Sequence, residues 1–227
     1  MGLRRALKTL LNYKEPEPFL NDSYSQEGED MILHRMFETK FDGFFVDVGA
    51  LHPIRFSNTY KFYKKGWRGI NIDALPGSMG LFNQVRPLDI NLEIPVSDQV
   101  EVLPFYVFNE PALNTFSKEL ADERASKPEY NIDKVINIET HSLAEILEKY
   151  LPAGQTIDFL TIDAEGFDYQ ILKSNNWEEF IPKIVLIESE LDYDEMLLSE
   201  LNQFMNAKGY SFFAKTVRTF FFKHNSL

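Results

Sequence analysis

The segment Phe44-Phe-Val-Asp-Val-Gly49 is an apolar run that ends in a glycine, the pattern of a buried parallel strand and the turn after it. Three further short apolar segments, each closed by a carboxylate, follow at 69–73, 156–163 and 184–188. Segments with helical periodicity separate these strands. The alternation predicts an α/β domain with a mainly parallel central sheet and helices on both faces.

The other elements are predicted outward from these strands. Helices are expected over 57–65 (with Ser57 as the N-cap), 76–85, 143–150, 169–174 and 194–207. Further strands are expected over 90–97, 100–108, 135–140, 210–214 and 217–223. The polar segment 109–133 is predicted to be irregular and to cover a binding site.

The composition is that of a globular protein with one domain. The 227 residues, 44% of them hydrophobic and 26% charged, suffice for one large core. A formal net charge of -12 repels phosphate backbones, so we expect no nucleic-acid partner and favour a neutral or cationic acceptor. The absence of cysteine excludes disulfides and thiolate metal sites and fits a reducing compartment.

The first 22 residues are predicted to precede a catalytic domain over 23–227. Residues 1–12 mix basic and apolar side chains at helical spacing, and an extended entry segment follows. Two interpretations stay open for 1–12: a helix packed on its own domain, or a helix in weak contact with a membrane surface or a partner. The sequence shows no signal-peptide pattern and no apolar run near the ~20 residues that span a bilayer. We therefore expect a cytoplasmic protein.

The turn after the first strand, with the acid of the next, suggests an adenosine-type ligand. Gly49 would let the backbone approach a ligand closely. Asp73 ends the next strand, where a carboxylate can accept hydrogen bonds from ribose hydroxyls. Leu51 replaces the second glycine of a phosphate-binding loop, which disfavours a dinucleotide and favours S-adenosylmethionine. The alternative is a purely structural turn.

Three carboxylates follow the strand that ends at Asp163. Asp163 could remove a proton from an acceptor hydroxyl, or it could hold a divalent cation such as Mg²⁺ together with Glu165 and Asp168. In the structural alternative these acids bond backbone amides and favour the start of a helix. We favour a functional role for Asp163 and leave both interpretations open for Glu165 and Asp168.

His52 is a further candidate, either as a base or orienter near the ligand loop or as a hydrogen-bonded loop residue. Glu188 and Glu190, at the end of a later strand, could contact the acceptor or face solvent. No role is predicted for His34, His141 or His224.

Five short motifs occur in order: Ser25-Gln-Glu-Gly-Glu-Asp30, Phe45-Val-Asp-Val-Gly-Ala50, Ser57-Asn-Thr59, Gly66-Trp-Arg-Gly69 and Asp163-Ala-Glu-Gly166. Together with the strand that ends at Glu188, they resemble the FkbM-type methyltransferase family over about residues 23–190. Each motif alone is weak, but five in order are specific. The chain departs from many members after Ala50, where Leu51-His52-Pro53 replaces a segment with Asn and Gly.

The resemblance implies a Rossmann-like class I methyltransferase fold, S-adenosylmethionine as cofactor, and O-methylation of sugars or natural products. It implies cofactor contacts or support from Gln26, Asp30, Asp47, Gly49, Ala50, Ser57, Asn58, Asp73 and Asp163, with Ser97 and the surroundings of Asp89 near the adenine. It also implies that Asp163 and Glu165 face the transfer site.

We therefore predict an O-methyltransferase that acts on a sugar hydroxyl of a small molecule or glycan, in surface-glycan or secondary-metabolite biosynthesis. Asp163 or His52 would take the proton, with Glu165 nearby. Two other hypotheses stay open: a non-catalytic module in a glycan-assembly complex, and a nicotinamide-dependent sugar oxidoreductase. The sequence does not identify the acceptor or the oligomeric state.

Overall fold

The computed structural model of the protein describes residues 19–226. The predicted helix over 1–12 and most of the extended entry segment lie outside the described residues. No helix in the described part of the chain is long and apolar enough to cross a membrane.

A seven-stranded sheet forms the centre of the domain. Its strands are β1 (Phe44–Val48), β2 (Arg68–Asp73), β3 (Ile90–Glu93), β6 (Phe159–Ile162), β7 (Ile184–Glu188), β8 (Tyr210–Lys215) and β9 (Thr219–His224). They lie in the order β3-β2-β1-β6-β7-β9-β8. The first five are parallel to one another, and β9 is antiparallel to both β7 and β8. This is the predicted Rossmann-like class I methyltransferase fold, and the strand order reverses between β1 and β6.

A separate antiparallel ribbon lies between β3 and β6 in the sequence. Its strands are β4 (Val102–Phe108) and β5 (Ile132–Glu139). The predicted strand over 90–97 ends earlier, at Glu93, and the strand predicted over 135–140 begins earlier, at Ile132. The ribbon carries the segment predicted to cover a binding site.

The described helices are α1 (Glu29–Met36), α2 (Tyr60–Lys64), α3 (Met79–Val85), α4 (Lys118–Ala125), α5 (Leu143–Tyr150), α6 (Asp168–Lys173), α7 (Tyr193–Leu198) and α8 (Glu200–Ala207). The structure differs from the predicted helices at several segments. The helix predicted over 194–207 is divided in two at Ser199, whose extended backbone ends α7 and whose hydroxyl accepts from the Asn202 N–H to cap α8. The helix predicted to start at Ser57 begins at Tyr60. The segment predicted to be irregular contains α4, whose first turn is capped by Ser117.

Both faces of the sheet are buried, as expected for parallel strands between helices. Every residue of β1 is buried, and Val46 and Val48 face a large aliphatic core shared with α5 and α6. Phe45 faces the opposite side, where Phe62, Trp67 and Phe159 form an aromatic core. The sheet is therefore held from both sides, and the loops at its carboxyl edge stand on a rigid base.

Candidate active site

A cleft opens at the carboxyl edge of the sheet, where the strand order reverses between β1 and β6. In open α/β sheets, ligands bind at this position. The cleft encloses about 950 Å³ including its open mouth. Its lining includes the ends of three neighbouring strands, marked by Gly49, Asp73 and Asp163, and the exposed residue Gln26.

Gly49 is required by the packing of two loops. Its φ of 87° lies in the left-handed region, which glycine adopts without steric cost. A Cβ atom at this position would lie 1.7 Å from the carbonyl oxygen of Asp163. The sequence analysis explained the glycine by the close approach of a ligand. The structure shows instead that a side chain at this position would collide with the neighbouring loop. Gly49 also lines the cleft, and its contact with a ligand stays a prediction.

Asp73 presents a carboxylate to the cleft. One of its oxygens accepts a hydrogen bond from the Leu75 N–H at 2.7 Å. Burial raises the pKa of Asp73 to about 6, although that hydrogen bond opposes the shift. A buried carboxylate with remaining acceptor capacity is suited to bind a pair of hydroxyl groups.

The rest of the cleft suits the other parts of an adenosine ligand. The Ser78 hydroxyl is buried, lines the cleft and lies beside the Asp73 carboxylate, whose pKa it helps to lower, so a ligand's polar group would meet both side chains at this point. Ile94, Val96 and Phe105 form an apolar wall wide enough for a flat ring. The residues present therefore fit S-adenosylmethionine.

A cluster of three carboxylates adjoins the cleft. Asp163, Glu165 and Glu188 each bring a carboxylate oxygen to within 4.8 Å of the other two. Burial, followed by the charges of Glu188 and Glu165, raises the pKa of Asp163 well above its usual range. Among the described residues, no cation forms an ion pair with Asp163, so this group is held in an environment that disfavours its charge.

Glu165 is fixed in place by the segment that follows β4. The Arg124 guanidinium of α4 forms an ion pair with its carboxylate, and the Thr115 hydroxyl donates to its backbone carbonyl at 2.7 Å. Glu165 has a φ of 50°, which is uncommon for a residue with a side chain. Burial raises the pKa of Glu165, and Arg124 opposes the shift. The sequence held no signal for this use of Arg124.

Asp168 has the structural role that the sequence analysis left open. Its carboxylate accepts from the backbone N–H groups of Ala164 and Gly166, both at 3.1 Å. Burial raises its pKa to about 7, and the two backbone bonds oppose the shift. Asp168 therefore shapes the loop of the acid cluster, while Glu188 takes the third position in the cluster itself.

His52 lies outside the cleft lining. Its Nδ1 accepts from the N–H groups of Ile54 and Arg55, at 3.0 and 2.9 Å. Burial and the charge of Arg55 lower the pKa of His52. A neutral imidazole whose Nδ1 already accepts two bonds is suited to hold the turn after Leu51, and the geometry gives no support to a role as base.

Asp47 belongs to a buried network behind the cleft. Its carboxylate accepts from the Thr59 hydroxyl at 2.8 Å, and burial raises its pKa to about 6. The Arg86 guanidinium also donates to Thr59 and forms a fully buried ion pair with Asp89. Ser57 joins this network and accepts the Tyr60 N–H. Neither Asp47, Ser57 nor Asp89 lines the cleft, so the geometry favours a supporting role for them, and the expected position of the surroundings of Asp89 near the adenine stays a prediction.

The remaining predicted cofactor residues lie in three places: beside the acid cluster, in the entry turn, and outside the cleft lining. Asn58 donates to the Thr161 hydroxyl at 3.0 Å, and with Gln26 it lines a small depression beside the acid cluster. Asp30 is buried and accepts from Ser23, Tyr24 and Ser25, which orders the entry turn. Ala50 packs with α3, and the Ser97 N–H donates to the His141 carbonyl, both away from the cleft lining.

Three comparisons with known proteins bear on this arrangement. A family model for the methyltransferase FkbM domain matches residues 47–212. A crystal structure described as that of a "putative RNA methyltransferase" from Pyrococcus horikoshii is similar at 9% sequence identity and a TM-score of 0.45, over 97% of this chain and 98% of that one. No curated protein matches the chain. The span matched by the family model includes Asp73 and the whole acid cluster.

Proposed function

The chain belongs to the FkbM methyltransferase family, and from this premise we propose that it methylates a sugar hydroxyl with S-adenosylmethionine as donor. The family accounts for methyl transfer and for the general use of this cofactor. The choice of a sugar hydroxyl rests on one observation, the acid cluster that shares Asp163 and Glu165 with the floor of the cleft.

S-adenosylmethionine, when bound, supplies an electrophilic methyl group. Asp73 would hold the ribose hydroxyls and the Ser78 hydroxyl a second polar group, while Gln26 closes the entrance. The apolar wall at Ile94 and Val96 would take the adenine ring. Gly49 and Ala50 would lie at the methionine end of the cofactor. Gly49 would contact this end, and Ala50 would support the loop.

Asp163 would act on the acceptor. A sugar hydroxyl is a poor nucleophile until its proton is removed, and a base with a pKa raised towards neutrality does this efficiently. The proton would pass from the hydroxyl oxygen to a carboxylate oxygen of Asp163, with Glu188 beside it and Glu165 held by Arg124. Most of the acceleration would come from holding the two reactants in line.

A divalent cation is the second use that the cluster allows. Three carboxylate oxygens within 4.8 Å of one another offer the hard ligands that Mg²⁺ prefers. Methyl transfer measured with Mg²⁺ and with a chelator separates the two uses. Loss of turnover with the chelator would assign the cluster to a cation, and unchanged turnover would assign it to proton transfer. The proposed setting is glycan or secondary-metabolite biosynthesis in the cytoplasm.

The test of cofactor binding is calorimetric titration with S-adenosylhomocysteine, with nicotinamide dinucleotide as the control ligand. We expect saturable binding of the first alone. Asp73→Asn should weaken this binding by ~1–3 kcal/mol, because a buried acceptor is lost. Asp42→Asn is the matched control, since Asp42 is exposed and outside the cleft. Equal affinity of the two variants would remove Asp73 from the cofactor site, and no binding by the folded protein would overturn the proposed function.

A further inference from the structure

A second groove lies beside the acid cluster, separate from the cofactor cleft. It encloses about 990 Å³ including its open mouth. It is bounded by Leu120 and Arg124 of α4, by the chain that follows β7, and by the start of α8. The two cavities share Glu165, so a molecule in the groove reaches the acid cluster from outside the cofactor cleft.

This placement is what a transfer reaction requires of an acceptor site. In a direct displacement the acceptor oxygen and the departing group lie on opposite sides of the methyl carbon, so the two reactants need separate cavities that meet at the transfer point. Glu165 and Glu188 both line the groove. A hydroxyl bound there would therefore lie beside two members of the acid cluster, next to Asp163, the group proposed to receive its proton.

The groove carries more negative charge than its neighbours compensate. Arg124 is the one cation among its lining residues, and it is paired with Glu165, while the Arg218 guanidinium lies 4.0 Å from the carboxylate of Glu188. Glu190 and Glu200, at the outer rim, are exposed and form no ion pair with any described residue. The chain as a whole carries a formal charge of -12, which adds to the negative potential at the mouth.

Part of the groove lining is apolar, and it includes Leu120, Leu191 and Leu201. Tyr169 adds an aromatic side chain to the lining. Such surfaces pack against the C–H faces of a sugar ring, while exposed carboxylates bind its polar substituents. Exposed acids beside apolar side chains disfavour anionic sugars and attract cationic ones.

We propose that this groove is the acceptor site and that it selects a sugar bearing a protonated amine, held by Glu190 and Glu200. The inference rests on the proposed function. It goes further by excluding phosphorylated and carboxylated sugars as good acceptors, since their charge would be repelled at the rim.

The test compares three methyl glycosides that differ in one substituent: the glucoside, the 2-amino-2-deoxyglucoside and the glucuronide. Binding is measured by NMR titration of the protein saturated with S-adenosylhomocysteine. We expect the aminoglucoside to bind about tenfold tighter than the glucuronide at low salt, with the difference shrinking as salt screens the rim. Equal binding of the three, tighter binding of the glucuronide, or no binding of the aminoglucoside would overturn the inference.

A variant pair locates the effect. Glu190→Gln with Glu200→Gln should weaken aminoglucoside binding about fivefold and leave the glucoside unchanged. The control is Glu148→Gln with Glu178→Gln, which makes the same change in charge at exposed positions outside the groove. A control that weakens binding as much as the rim variant would show a general charge effect and overturn the site. Binding of S-adenosylhomocysteine keeps the outcomes separate: if it fails, the proposed function fails, and if it persists without a preference for the amine, only the groove assignment does.

Discussion

Asp158 and Asp163 stand at opposite ends of β6 and show opposite ways of holding a buried carboxylate. Asp158 is fully buried at the amino end. Its carboxylate accepts from the ammonium groups of Lys40 and Lys183, at 2.6 and 2.7 Å, and from the Phe44 N–H at 3.0 Å. It ties β1 and the chain before β7 to the start of β6.

At the carboxyl end, Asp163 has acids for neighbours. Glu188 and Glu165 lie within 4.8 Å of it, and burial together with their charges raises its pKa. A compensated carboxylate stabilises the fold, whereas an uncompensated one costs stability and is typical of sites where chemistry occurs. The comparison teaches that the partners of a carboxylate distinguish the two roles.

The largest effect is expected from Asp163→Asn. Without its base, turnover should fall by about 10²–10³-fold, the usual contribution of general base catalysis. Affinity for S-adenosylhomocysteine should change far less, because the proton is taken from the acceptor. Steady-state kinetics and calorimetry on the same preparation measure both quantities. Turnover equal to that of the unmodified protein would mean that Asp163 has no role in catalysis, and the contrast between the two aspartates would then be wrong.

The next effect concerns stability, and here the larger loss is expected at Asp158 rather than at Asp163. Asp158→Asn should lower the free energy of unfolding by about 2–3 kcal/mol, because two lysines lose their shared carboxylate. Asp163→Asn should leave stability unchanged or raise it, because a disfavoured charge is removed. Urea denaturation of both variants provides the measurement. A loss of equal size in the two would mean that Asp163 is as well compensated as Asp158.

A smaller effect is expected in the pH dependence of stability. A carboxyl group whose pKa is raised by folding binds more protons in the folded than in the unfolded state, so stability falls as pH rises through the raised pKa. For Asp168, with its pKa of about 7, this interval runs from about pH 4 to about pH 7. The pKa of Asp163 is raised in the same direction by burial and by the charges of Glu188 and Glu165, so Asp163 adds to the decline. Asp163→Asn should make the decline of the free energy of unfolding with pH shallower by up to roughly 1 kcal/mol per pH unit. Asp158→Asn should leave the slope of this decline unchanged. Denaturation curves across this interval test the difference, and identical slopes in all three proteins would contradict it.

The sheet was largely predictable from the sequence, because each central strand is an apolar run with a clear end. β1, β2, β6 and β7 were all placed, and the positions of Asp73 and Asp163 at the carboxyl edge followed from them. Boundaries were less accurate where local signals competed. Ser199 divides the last helical segment because its hydroxyl caps a new helix. Serine favours this position over the interior of a helix.

The partners of each acid were not predictable, because they come from distant parts of the chain. Arg124 reaches Glu165 only because the ribbon folds α4 over the loop after β6. The role of Asp158 has no signal in the sequence, although the residue lies in the predicted strand over 156–163. The two lysines that bind its carboxylate are remote in sequence. For His52 the sequence left two interpretations open, and its two backbone bonds, which the sequence does not reveal, favour the loop residue over the base.

The contact between Gly49 and the Asp163 carbonyl has a consequence for how the protein can diversify. The obstacle that a Cβ at position 49 would meet, at 1.7 Å, is main chain rather than a flexible side chain, so no change of neighbouring side chains makes room for it. The loop after β1 and the loop after β6 are therefore held at a fixed distance from each other. If they carry the methyl donor and the base as proposed, substitutions at the groove rim would alter acceptor choice over evolutionary time, while the spacing between donor and base stays constant.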